Sequence, residues 1–393
     1  MSVPVSTGLN EVDSGVQYEA LGGSLANVPC CRKRDGGTDP VTGQWIPRDP
    51  HHHDKFIYAG DLGLSHVEAW LGPERMGKLN EDEKKEIVGI IKDMANLVVK
   101  IYVPFISLGR PKDDYLFSNK RGKWAGAVGT GKVHYVIESK DGHWNEHITY
   151  DGTPLTQSCP QYCSSGTATS DKCWKIGIST ARHVLFDNDE AKKSQFIFFD
   201  EQVGGSGAVV SGVRVDVKTE TGALVTDSRT EEDSCDMNVY THDEGLATAL
   251  AGVCDRWRFK TSMMNYLCDL VCGDKVDDDG SMEYTYDTDI ESYRMKDYDV
   301  DINKDKKKLK VVVIGHGHGR TKQISLGEVV AYRQGKWGSG LTYRAVSCPG
   351  TSGGWVFPTG THRIGRGNKG IWQYTHSRAT DREVGVSADY AYY

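Results

Sequence analysis

The chain has 393 residues, 26% of them charged, and a formal net charge of −7. That length can bury one large or two medium cores, while the acidic balance excludes a global basic field able to attract nucleic acid or an anionic membrane. Neither nucleic acid nor a membrane is therefore expected as a partner; no run of about 18 apolar residues offers a membrane span, and the opening MSVPVSTGLNEVDSG lacks the basic start and apolar run of a signal peptide, which favours a cytoplasmic protein.

Ten cysteines could make five disulfides, yet without a secretion signal they are expected to be free thiols, mostly buried. Cys159 and Cys163 are spaced more widely than the tight CxxC of zinc ribbons, and so are Cys268 and Cys272. The run His51-His52-His53 reads as a solvated loop. No metal and no cofactor are expected.

Residues 1–79 are rich in Gly, Pro and polar residues without a sustained period, so they read as an irregular N-terminal extension. At Asn80 the pattern sharpens. Asn80 and Glu83 make a capping box, and Ile87, Ile90, Ile91 and Met94 recur at helical spacing through about Asn96. From Leu97 the chain turns to short β-branched runs: LVVKIYV, GKWAGAVGTGKVHYVI, WKIGISTARHVLF, SQFIFF, GVRVDV and MNVY, then LKVVVIG, ISLGEVVAYR and GIWQYTH. Many short strands punctuated by turns argue for an all-β sandwich or a pair of barrels. The rhythm breaks over about 246–305, where LATALAGVCDRW and MMNYLCDLVC suggest short helices and an acidic stretch follows, read as an insertion. Testing that stretch as a calcium loop from Asp299 fails, because Lys304 stands where the turn needs Gly and Lys310 where it needs Glu.

The chemistry gathers at CPGTSGGWVF, Cys348 to Phe357. Gly350-Thr351-Ser352-Gly353-Gly354 sets a hydroxyl among residues with little side chain, so a tight turn can leave the Ser352 oxygen reachable as a nucleophile. The amides of Gly350 and Ser352 could then hold an oxyanion, worth about 3 to 4 kcal/mol per donor. His183 stands at the end of an apolar strand, and Asp236 begins another in SCDMNVY. A base fixed near a strand end and a carboxylate that orients it complete a triad, and the order His, Asp, Ser is one of the few known for it.

On these residues the chain resembles the trypsin-like serine peptidases of chymotrypsin fold, and in motif style their HtrA-like and minimal viral branches. STARH is similar to the family's TAAH motif, DMNVY to its Asp-bearing strand and GTSGG to GxSGG. VVVIGHGHGRTKQISLGEVV resembles a strand pair of the second barrel, GIWQYTH the cleft strand after the nucleophile, and GAVGTGKVHYVI an early GxG strand. The resemblance, over roughly 97–380, implies two packed antiparallel β-barrels within a peptidase domain 80–393: a first barrel over about 97–245 with His183 and Asp236, and a second over about 306–393 with Ser352. It implies a serine endopeptidase working on protein or peptide substrates through an acyl-enzyme. Thr351 stands where secreted digestive enzymes have Asp, and no IVGG-like start occurs, so activation by a new N-terminus is not expected. Asn238 occupies a position usually small and apolar, which leaves Asp233 and Asp243 as alternatives to Asp236. The alignment places Val346 at the base of the primary specificity pocket, with Gln373, Tyr374 and Thr375 on the cleft strand. An apolar base gives a buried cation no partner, so a small or medium uncharged side chain is expected before the scissile bond. The alternative is a catalytically silent trypsin-like scaffold or binding module, since fold does not fix function.

Overall fold

The computed structural model describes residues 52–112, 116–139, 172–201, 207–210, 212–229, 233–258, 310–335, 338–359, 374–379 and 384–388, with a few short pieces (36–38, 45–47, 143–145, 156–158, 267, 270 and 271). In chain order the main elements are strand β1 (Ile57–Tyr58), helices α1 (Leu64–Leu71), α2 (Pro73–Met76) and α3 (Glu81–Asn96), strands β2 (Val98–Ile106), β3 (Lys123–Glu138) and β4 (Trp174–Ala181), and helix α4 (Asn188–Ala191). There follow strands β5 (Gln195–Phe198), β6 (Lys218–Thr221), β7 (Ala223–Arg229) and β8 (Ser234–Thr241), and helix α5 (Glu244–Arg258). The last part holds strands β9 (Lys310–Gly315), β10 (Gln323–Gly335), β11 (Gly338–Arg344), β12 (Trp355–Pro358), β13 (Tyr374–Ala379) and β14 (Val384–Ala388).

Helix α3 forms where its residues dictate. The Asn80 side chain accepts from the Asp82 and Glu83 amides at 3.0 and 2.9 Å, and Glu83 reaches back to accept from the Asn80 amide at 2.8 Å, so the expected capping box is complete. Ile87, Ile90, Ile91 and Met94 are all buried along one face, each stabilising the fold by about 1.5–3 kcal/mol. This face and α5 pack on the first sheet, where β2 and β4 are buried almost without interruption.

The strands form two seven-stranded antiparallel sheets. The first runs β6-β5-β2-β3-β4-β8-β7, and the second β9-β12-β13-β14-β11-β10-β1, with β9 also paired to β10. The second pairing order thus returns on itself, whereas the first is an open ladder among the described residues. One apolar cluster spans both sheets, joining Ile101, Ile178 and Val239 of the first to Ile314, Trp355 and Phe357 of the second. The two-barrel expectation therefore reduces here to a mostly β chain of two antiparallel sheets on a shared core.

Two readings of the flanks change. The extension is not irregular up to Leu79, because α1 and α2 lie within it. Val67, Trp70, Leu71 and Met76 are buried, and the Trp70 indole donates to the Gly327 carbonyl at 2.9 Å, fastening the helix to β10. Gly63, Gly72 and Pro73 frame these short helices and make them look like turns in sequence. The stretch from Leu246 likewise begins as part of the body, since Leu246, Leu250, Val253 and Cys254 of α5 are buried. The acidic stretch, with the calcium loop tested at Asp299, lies outside the described residues, as do Cys159, Cys163, Cys268 and Cys272. Cys173, Cys235, Cys254 and Cys348 are buried thiols that form no disulfide.

Candidate active site

β4 ends at Ala181, and a turn closed by the Val184 amide on the Ala181 carbonyl carries His183 out of the sheet. Beneath this turn lies a fully buried ion pair. Arg110 Nε donates to Glu190 Oε1 at 2.6 Å and Nη2 to Oε2 at 2.7 Å, a bidentate geometry that suits guanidinium to carboxylate. The remaining Arg110 donors reach the carbonyls of Leu116, His183 and Val184, at 3.3, 2.8 and 3.2 Å. Glu190 accepts the Ser107 and Phe186 amides at 2.8 and 2.9 Å. Both charges are thus satisfied, and their hydrogen bonds fix the backbone of the histidine turn.

The carboxylate that meets His183 is Asp233. His183 Nδ1 donates to Asp233 Oδ2 at 2.7 Å, and the His183 amide donates to Asp233 Oδ1 at 3.0 Å. The Arg182 amide also donates to the Asp233 carbonyl at 2.9 Å. Asp233 immediately precedes β8 in the left-handed region, at φ 49°, a conformation Asp tolerates better than most residues. His183 and Asp233 side chains are 15% and 26% exposed, open enough to be reached yet held by the turn.

Asp236, the residue expected from the strand motif, serves elsewhere, and register gives the reason. β8 pairs antiparallel with β4, Ser234 opposite Ala181 and Asp236 opposite Ser179. Only the residue just ahead of the strand comes level with the turn that follows Ala181; Asp236 lies back along β4, where its carboxylate accepts from the Ser179 hydroxyl. The same hydroxyl meets His134 Nε2. Burial holds the Asp236 carboxyl above the usual carboxylate range, and burial, with Lys132 beside it, holds the His134 imidazole well below its usual value. Lys132 is pushed down to about 7 by burial, against the pull of Asp236. Its Nζ lies 5.3 Å from the Trp355 ring centroid, between the two sheets. The other alternative, Asp243, caps α5 through the Leu246 amide at 2.9 Å and pairs with Lys218 at 2.7 Å.

The turn that carries Ser352 is built by residues from both sheets. Thr130 of β3 donates its amide to the Ser352 carbonyl at 2.8 Å and its hydroxyl to the Gly350 carbonyl at 2.7 Å, while that hydroxyl accepts the His316 amide at 2.9 Å. Gly353 is required by both conformation and space: its φ is 83°, and a Cβ there would stand 1.9 Å from the Thr130 carbonyl oxygen and 2.2 Å from the Thr180 hydroxyl. The turn that carries Ser352 therefore abuts the end of β4 that leads to His183. Its own backbone commits the amides of Thr351 to Cys348, Gly353 to His376 and Gly354 to Thr351. Gly350 has φ 97°, and Ser352 is half-buried.

Of the expected pocket residues, Val346 is buried and its carbonyl accepts the Ser325 hydroxyl at 2.7 Å. Thr375 is buried opposite Trp355, Tyr374 pairs with Val356, and Gln373 lies outside the described residues. A residue missed in the sequence is His376. It is 2% exposed, brackets the Ser352 turn through its backbone, and meets the Tyr343 hydroxyl through Nδ1, while burial drives that hydroxyl well above its usual value. A second cluster changes the reading of the histidine run as solvated at His53, the member whose side chain is described. His53 is half-buried against His318, and these two with Cys348 form a group of potential metal ligands whose donor atoms all lie within 4.8 Å of one another.

The site thus defines a class: a carboxylate–imidazole pair on one antiparallel sheet set beside a serine-bearing glycine turn on another. No protein-family profile and no curated protein sequence matches the chain. Among solved structures it is similar to a serine-to-alanine variant of the HtrA-type protease AlgW with a tripeptide, at 11% identity and TM-score 0.32, over 77% of this chain and 59% of that one. It is also similar to HtrA-type protease AlgW with a decapeptide, at 11% identity and TM-score 0.32, over 77% of this chain and 63% of that one. The Rv3671c protease from M. tuberculosis in its active form is another, at 11% identity and TM-score 0.31, over 76% of this chain and 78% of that one. The chain spans about three fifths of the length of the AlgW chains it matches.

Proposed function

We propose that the chain is a trypsin-like serine endopeptidase of chymotrypsin fold, with His183, Asp233 and Ser352 as its triad. The observation that carries this reading is the two-point grip of Asp233 on His183, through both Nδ1 and the backbone amide, at the strand end against which the Ser352 turn is packed. A carboxylate on Nδ1 leaves Nε2 as the basic nitrogen and stabilises the imidazolium that forms. In the reaction His183 Nε2 removes the Ser352 proton as Oγ attacks the peptide carbonyl. The amides of Gly350 and Ser352 hold the oxyanion, the imidazolium returns its proton to the leaving amine, and water, activated by the same imidazole, releases the acyl group.

The substrate is a protein or peptide. Val346 as an apolar pocket base and Thr375 as a β-branched residue on the cleft strand favour a small or medium uncharged side chain before the scissile bond. The test is Ser352→Ala compared with the native chain: it is expected to abolish peptide hydrolysis and labelling by a fluorophosphonate. A native chain that neither labels nor cleaves a randomised peptide library refutes the peptidase and leaves a silent scaffold. A library cleaved chiefly after Arg or Lys refutes only the pocket assignment.

A further inference from the structure

We infer that His53, His318 and Cys348 bind a zinc ion that ties the segment preceding β1 to the nucleophile turn. The three residues come from distant parts of the chain: the short 3-10 turn His52–Lys55, the GHGHG loop after β9, and the residue four before Ser352. One donor atom from each lies within 4.8 Å of the others.

The imidazole pair carries the inference. His53 Nε2 and His318 Nε2 face each other at 3.3 Å, with the rings nearly perpendicular at 80°. That distance is long for a hydrogen bond between ring nitrogens. It is the separation that a tetrahedral ion imposes on two ligands, since Zn–N bonds of about 2.05 Å place their nitrogens about 3.3 to 3.4 Å apart. Among the described residues, the His318 side chain has no hydrogen-bond contact beyond His53 to explain its place. It is 1% exposed, its Nδ1 has no hydrogen-bond partner among the described residues, and its backbone sits in the left-handed region at φ 57°. A strained backbone that aims a buried imidazole at another imidazole and a thiol is economical only if the three share a ligand.

The donor set selects the metal. Two neutral imidazoles and one thiolate suit zinc over magnesium or calcium, which prefer oxygen. Cys348 is buried beside the loop, its Cβ 3.6 Å from the position a Gly317 side chain would take. Binding needs no redox step: the Cys348 thiol gives its proton to solvent, the sulfur joins the ion, and a water takes the fourth position. The ion would fasten the loop and the turn at a point already joined by the His318 amide donating to the Pro349 carbonyl.

The full chain, purified under reducing conditions without chelator, is the material for the test. Metal analysis should find one zinc per chain after gel filtration, and cobalt exchanged into the site should give tetrahedral absorption with a thiolate-to-metal charge-transfer band. Cys348→Ser should abolish that band, and His53→Ala, at a half-buried position outside both sheets, should weaken cobalt binding by at least about tenfold with the circular dichroism unchanged. Failure of the native chain to hold stoichiometric zinc or cobalt overturns the proposal. So does a charge-transfer band that survives Cys348→Ser, because the thiolate would then come from another cysteine. Neither readout uses peptide hydrolysis, so the site stands or falls separately from the peptidase.

Discussion

Replacing Asp233 by Asn tests the proposed triad, because the contacts of Asp233 dictate how the variant would fail. The native carboxylate accepts twice, from the His183 amide at 3.0 Å and from Nδ1 at 2.7 Å. In the variant the amide oxygen keeps the backbone bond, which leaves the NH2 group facing Nδ1. Nδ1 must then be the acceptor, the proton moves to Nε2, and the nitrogen that should take the serine proton already carries one. Loss of the correct tautomer costs about ten-thousandfold in kcat, or about 5 to 6 kcal/mol of transition-state stabilisation, with little change in fold. Asp236→Asn is the paired control. Its carboxylate bonds the Ser179 hydroxyl away from His183, so its kcat should stay within about tenfold of native. Both variants are to be assayed on the best peptide from a library, with fluorophosphonate titration to count competent sites and thermal melts to confirm folding. An Asp233→Asn enzyme that keeps a tenth of native kcat, or an Asp236→Asn enzyme that loses it all, would refute the assignment.

Burial depresses Lys132 from its ordinary 10.5 to about 7, so the folded chain binds fewer protons than the unfolded chain between those values, and stability must rise with pH across that window. Lys132→Met should flatten that rise and add stability on the order of 4 kcal/mol at pH 7, read by denaturant unfolding at a series of pH values. Breaking the Arg110–Glu190 pair with Glu190→Gln should cost about 3 to 5 kcal/mol by the same measurement and loosen the histidine turn, because Arg110 would remain buried without its counter-charge. Gly353→Ala should yield a chain that misfolds or loses fluorophosphonate labelling altogether, since the added methyl meets the Thr130 carbonyl; a soluble variant that labels at the native rate would show the turn to be looser than described.

The parts of this molecule legible in the sequence are those whose determinants are neighbours in it. Helix α3 announces itself through Asn80, Glu83 and a row of four buried apolar residues, and the strands through β-branched runs between turns. Asp233 is harder to read from sequence, because a motif places the acid at the start of a strand by counting, whereas the pairing register decides which acid comes level with His183. Two carboxylates three apart read alike in one dimension and face different neighbours in three. His53 was unreadable for another reason: 265 residues separate it from His318, and no local pattern marks a histidine whose partner comes from the other end of the chain. His376 hides likewise, since its part lies in backbone bonds to Gly353 and Gly354 that leave no trace in composition.

The Thr130-centred knot at the nucleophile turn has a consequence for timing. Its strings run from residues 130, 180, 316 and 376, so the turn reaches its shape only after both sheets have closed around it. Loops of this span close slowly, because chain entropy is lost before any contact compensates for it. On the peptidase reading proposed above, a chain still emerging from the ribosome would carry His183 and Asp233 in a finished first sheet while the Ser352 turn remained unformed, and would not yet cleave. Competence would switch on at a single late moment, when the strand bearing His376 docks. Heating should run the same film backwards: labelling of Ser352 should vanish along the global melting curve and not ahead of it, making the site a reporter of complete folding.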